Sequence, residues 1–124
     1  RESGSAFALN AYIEREAVKL TKGTPERVET PSNSGHGQSV LRCPSCKVAL
    51  WSHYAGSGEA IAFLRCGTLE ERAEIVPDVH IFTSTKLPWV VLPEGAQVFE
   101  GFYRPKEVWP EESLARFKAA RAKG

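Results

Sequence analysis

"LRCPSCKVALW", residues 41–51, places Cys43 and Cys46 on either side of a Pro–Ser pair, with β-prone apolar residues before and after it. Two thiols spaced this way on a tight turn converge, because the short loop aims both sulfurs to one side. Backbone N–H groups of the same turn stabilise negative charge on sulfur. Zinc favours such ligands and takes four of them in a tetrahedron when its role is structural. Two other readings stay open: a pair of reduced cysteines in a hairpin, or a thioredoxin-like redox pair. A redox motif belongs at a helix start after a strand. Here Val48, Leu50 and Trp51 predict a strand instead, which favours the metal. Residues 38–42 and 47–54 therefore read as a hairpin with the cysteines at its tip.

Upstream, "SAFALNAYI" (5–13) alternates, with Ser5, Phe7, Leu9, Ala11 and Ile13 on one face of a half-buried strand. "EREA" (14–17) reads as a turn or single helical turn, "VKLTKG" (18–23) as a short strand and "ERVET" (26–30) as another. "PSNSGHG" (31–37) and "YAGSGEA" (54–60) are loops by their Pro, Ser, Asn and Gly content. Downstream, "AIAFLRC" (60–66) and "VHIFTST" (79–85) predict strands, and "PWVVLPEG" and "QVFEGFY" shorter extended pieces. The end changes character: "WPEESLARFKAARAKG" (109–124) has Pro110 suited to a first helical turn, acids next and bases last. The expectation is a mainly β fold of several short antiparallel strands over 1–108, with a C-terminal α-helix over 109–124 packed lightly on the sheet.

Composition bounds the function. Hydrophobic residues make up 42% and charged residues 25% of the 124, which is the balance of a folded, water-soluble domain. Sixteen Lys and Arg against fifteen acids leave a formal charge of +1, giving no electrostatic reason for nucleic acid or an acidic membrane as partner. No apolar run is long enough to span a bilayer. Three cysteines, two at metal spacing, fit a reducing, cytoplasmic setting better than a disulfide framework.

Completing a zinc tetrahedron within the sequence is awkward. Cys66 shares a predicted strand face with Ala62 and Leu64, where a lone cysteine is usually a small buried hydrophobe. His36 lies in a loop and His53 in the strand after the pair, and such histidines are more often surface or hydrogen-bonded groups than ligands. Two ligands are left unaccounted for.

"SGSAFALNAYI", "VKLTKG", "LRCPSCKVALW", "CGTLEE", "HIFTSTKLPWVVLPEG" and "FEGFYRP", in that order from about Ser3 to Tyr103, resemble the glutathione-dependent formaldehyde-activating family, which includes relatives of centromere protein V. The resemblance implies a tent-like, zinc-supported β fold with two zinc sites. The structural zinc takes two cysteines from an early Cys-x-Cys and two from a later Cys-x-x-Cys, matched here by Cys43 and Cys46. The catalytic zinc takes three from a Cys-x-Cys-x-x-Cys just before the segment matched by "ESGSAF". Neither early element is in this sequence, which also contains no methionine. The sequence is therefore expected to be a window on a longer protein with a Cys-x-x-Cys immediately upstream of Arg1.

The implied chemistry is a carbon–sulfur lyase reaction run synthetically, joining glutathione and formaldehyde as S-(hydroxymethyl)glutathione, or a related thiol–aldehyde adduct. Without the catalytic zinc ligands, the 124 residues alone are expected to be inactive. Ser3, Gly4 and Ser5 would follow the catalytic cysteines and line the substrate pocket, although Gly4 equally suits a tight entry into the strand. His80 is placed beside Phe82 on one strand face, where a hydrogen-bonded core histidine is the commoner outcome. Lys86 and Trp89 in "KLPW" offer charge and stacking to a small anionic ligand, or core packing. Arg15 and Arg65 are further candidates for substrate carboxylates. The alternative is a non-catalytic, zinc-stabilised binding or scaffold module. Either reading implies Zn2+ as cofactor, and an open sheet edge admits a homo-oligomer.

Overall fold

Among the described residues, every buried one but Ala120 lies between Gln38 and Cys66, and that is where the centre of the sheet forms. The computed structural model describes residues 3–124. Five strands, β1 (Asn10–Glu14), β2 (Glu26–Thr30), β3 (Gln38–Arg42), β4 (Ala49–Tyr54) and β5 (Ile61–Arg65), make one antiparallel sheet in the order β1-β5-β4-β3-β2. The β3–β4 hairpin is its centre, with Leu41 opposite Trp51 and Ser39 opposite His53. Gln38 through Leu41 are all buried, so β3 reads as a continuous run rather than an alternating one.

One face of the sheet carries the buried apolar core. Leu41, Trp51 and Ala62 form its buried centre, with Ile13, Val18, Leu50 and Leu64 against it. The other carries aromatic rings: Phe63 meets Tyr12 edge-on at 4.5 Å and Tyr54 at 4.7 Å. Such edge-to-face pairs each add about 0.5–1.5 kcal/mol beyond their burial.

Two further strands, β6 (Val79–His80) and β7 (Gln97–Val98), pair in parallel as a separate ribbon. Two helices follow, α1 (Pro105–Val108) and α2 (Glu111–Lys123). The predicted C-terminal helix is present, with Pro110 as its N-cap residue, Glu111 and Glu112 in the first turn, and Arg121 and Lys123 in the last. This charge order suits the helix dipole at both ends. Phe117 reaches Tyr12 at 5.7 Å and Trp109 at 5.4 Å, and Arg116 bonds Glu14 at 2.7 Å. Ala120 is its one buried residue, so the docking is light, as expected.

Three extended predictions need correction. Residues 5–9 are not strand: Phe7 is 70% exposed, and the Ser5 hydroxyl donates to the Phe7 carbonyl at 2.6 Å, a local bond that competes with a ladder. Residues 18–23 form no strand pairing among the described residues, and of them only Val18 packs against the core. The predicted strand at 79–85 ends at His80, because Phe82 adopts a left-handed conformation (φ 52°) and Thr83–Thr85 form a 3-10 turn. Hydroxyls of Thr83, Ser84 and Thr85 bond the carbonyls of Phe99, Glu100 and Phe82. His80 and Phe82 therefore do not share a strand face.

Candidate metal centre

The β3–β4 hairpin opens where its register shifts, between Leu41 and Arg42, and the loop beyond carries the two cysteines. Cys43 N–H donates to the Val48 carbonyl (2.9 Å) and Lys47 N–H to the Cys43 carbonyl (2.9 Å), which closes the turn on itself. That closure requires Lys47 to take a left-handed backbone, φ 63°. Its side chain is held outward by Glu26 at 2.7 Å, and Arg42 Nη1 donates to its carbonyl at 2.9 Å.

Cys43 is half-buried and Cys46 exposed. The backbone N–H of Cys46, then that of Ser45, point at the Cys43 sulfur, and together with the Cys46 thiol they pull its pKa below the ordinary thiol value. A sulfur solvated in this way by turn amides is predisposed to be a thiolate, the form that binds metal. The donor set fits half of a tetrahedral zinc site: two convergent sulfurs on one turn, with amide support. Among the described residues no third His, Cys, Asp or Glu joins them.

The other candidates sit elsewhere. Cys66 follows β5, is 1% exposed, and donates weakly to the Leu64 carbonyl at 3.8 Å. Burial pushes its thiol up, as for a small core hydrophobe. His53 is buried with both ring nitrogens in use: Nδ1–H donates to the Ile61 carbonyl (2.6 Å) and Nε2 accepts from Trp51 Nε1–H (3.0 Å). His36 is exposed in its loop.

Ser3, Gly4 and Ser5 form a small turn of their own, with Gly4 at φ 71° and the two hydroxyls 3.3 Å apart. His80 is half-buried in β6, and its carbonyl accepts from Phe99 N–H at 2.9 Å. Lys86 ends the 3-10 turn, and Trp89 is 69% exposed. Among the described residues, no hydrogen bond or ring contact joins His80, Lys86 and Trp89 to one another or to the serines. Arg15 stacks over Trp51 at 4.6 Å and bonds the Val18 carbonyl, while Arg65 bonds Asn10 and Ser52. Both arginines thus brace the sheet.

Sequence reasoning missed two features. The first is the left-handed Lys47, for which a lysine side chain gives no signal. The second is the polar group of Arg27, Glu29, Ser39 and Glu59 at the far end of the hairpin. Its signal was the cross-strand row that puts Glu29, Ser39 and His53 side by side.

No curated protein and no solved structure matches the chain. Residues 1–85 match the family described as glutathione-dependent formaldehyde-activating enzyme, a span that holds the whole five-stranded sheet and the cysteine turn. On that match, the chain belongs to the glutathione-dependent formaldehyde-activating enzyme family.

Proposed function

We propose that this protein is a zinc-braced domain of thiol–aldehyde chemistry, acting on glutathione and formaldehyde or a closely related pair. The observation that carries the reading is the amide-supported Cys43–Cys46 turn lying inside the family-matching span. Cys43 and Cys46 would hold a structural zinc together with two ligands from outside the described residues. When bound, the metal supplies a rigid crosslink for the hairpin. In the reaction, the thiol sulfur adds to the aldehyde carbon: one C–S bond forms, the carbonyl π bond opens, and the thiol proton passes to oxygen. The small-molecule substrate would meet residues near Ser3, Gly4 and Ser5, with His80, Lys86 and Trp89 as further contacts. Exposed Cys46 stays a thiol most readily in a reducing, cytoplasmic setting. Among the described residues no helix is long and apolar enough to cross a membrane.

A second reading, a non-catalytic zinc-stabilised module, is favoured by one observation: the described residues offer two convergent sulfurs and no open three-thiolate site. Turnover separates the two. The protein expressed from its complete coding sequence should consume formaldehyde in a glutathione-dependent manner above the uncatalysed rate. Zinc retention with no acceleration would instead establish the module.

A further inference from the structure

The cysteine turn holds chemistry that a metal clamp leaves unused. Cys43 and Cys46 bracket a turn closed by two backbone bonds, Lys47 N–H to the Cys43 carbonyl and Cys43 N–H to the Val48 carbonyl. A hydrogen-bonded turn of four residues brings its end Cα atoms within about 7 Å, and a disulfide spans about 4.4–6.8 Å between Cα atoms. The side chains meet as well, since the Cys46 thiol hydrogen-bonds the Cys43 sulfur. Bonding the two sulfurs leaves the β3–β4 ladder intact, because its last pair, Arg42 and Ala49, lies outside the turn.

The two sulfurs differ in access. Cys46 is exposed and Cys43 half-buried. Thiol–disulfide exchange begins at the sulfur a small disulfide can reach, which here is Cys46. Cys66, 1% exposed at the end of β5, cannot compete. Charge favours an anionic reagent. Arg42 and Lys47 flank the pair, Glu26 bonds Lys47, and among the described residues no carboxylate bonds Arg42. The pair leads into β4 and not into a helix, the setting of a redox enzyme, so exchange modifies the turn once and drives no cycle.

We propose that Cys43 and Cys46 form a thiol–disulfide exchange site for a small anionic disulfide of the glutathione class. The Cys46 thiolate attacks one sulfur of the reagent; a C46–S–S–R bond forms, the reagent's S–S bond breaks, and R–S⁻ leaves and takes up the proton Cys46 gave. The Cys43 thiolate then attacks the Cys46 sulfur, the Cys43–Cys46 bond forms, and the second R–S⁻ leaves to be protonated in turn. The protein dithiol is oxidised by two electrons, and the reagent is reduced to two thiols. The site rests on the zinc reading only for its protection: a disulfide sulfur is no longer a thiolate ligand, so bound metal and bridge exclude each other.

Differential alkylation tests this on the protein made from its complete coding sequence. Trypsin cuts after Arg42 and Lys47, so residues 43–47 come away as one peptide, and Cys66 in another. Zinc-stripped protein is incubated with oxidised glutathione, alkylated in denaturant, digested and weighed. The 43–47 peptide should carry neither alkyl group nor glutathione, while the Cys66 peptide stays alkylated. Cys43→Ser should halt the reaction with one glutathione on Cys46. Zinc at about 100 times its dissociation constant leaves about 1% of the turn free and should slow bridging about a hundredfold. A wild-type pair that stays alkylated, a mixed disulfide that persists in the wild type, or a bridge from either cysteine to any other would overturn the proposal. Bridging at one rate with and without zinc would support the exchange site and strike the zinc reading alone.

Discussion

Lys47 occupies a backbone region that L-residues enter at a penalty of roughly 1–2 kcal/mol. The turn imposes it, because the Lys47 N–H must reach the Cys43 carbonyl. Lys47→Gly should therefore stabilise the protein by about 0.5–1 kcal/mol, measured by urea unfolding in high salt. Salt screens out the loss of the exposed Lys47–Glu26 pair, itself a small contributor. Cys66 makes the opposite case. Cys66→Ser buries a hydroxyl where a thiol sat and should cost about 1–3 kcal/mol, while zinc content stays as in the wild type. A fall in zinc on that change would make Cys66 a ligand. The sequence made Cys66 legible because its two-residue spacing from Ala62 and Leu64 carries the buried face one residue past the end of β5. It hid Lys47, because a left-handed backbone is a property of the closed loop and not of the residue type.

Among the elements, α2 was legible almost to its ends, since Pro, acids, bases and glycine mark a helix chemically as well as by period. The strands at 18–23 and 81–85 were misread for a different reason. Alternation reports two faces but not whether a partner edge exists, and Ser and Thr hydroxyls at 83–85 take the carbonyls a ladder would use. The docking of α2 is testable. Phe117→Ala should destabilise by about 1–3 kcal/mol, less than the about 3–5 of a fully buried phenylalanine. Its second anchor is pH-dependent. Hydrogen bonding from Arg116 holds the Glu14 carboxyl below its ordinary value near 4.5. A carboxyl with a depressed folded pKa stabilises above the unfolded value and loses that contribution as pH falls through the folded one. Stability from this pair is thus complete at neutral pH and fades below about pH 4.5. Glu14→Gln should lower the urea midpoint at pH 7, and the difference from wild type should shrink as pH falls below about 4.5 and through the depressed folded value. A constant difference across that range would mean that the ion pair does not stabilise the α2 docking.

For the whole molecule, the five-stranded sheet holds the buried core, while the segment after it is thinly covered, with Val76, Trp89 and Val91 at 77%, 69% and 90% exposure. The family-matching order of motifs made the mainly β architecture legible. It could not make the site legible, because a ligand set is a spatial fact and only two of the four sulfurs of the expected clamp lie in these residues. The Cys43–Cys46 turn is expected to clamp a structural zinc. Zinc content and melting temperature, measured on the protein made from its complete coding sequence as wild type and as Cys43→Ser/Cys46→Ser, test this. The double variant should lose one zinc per chain and melt markedly lower, by an amount that chelation reproduces in the wild type. Equal zinc and equal melting in the two proteins would contradict it.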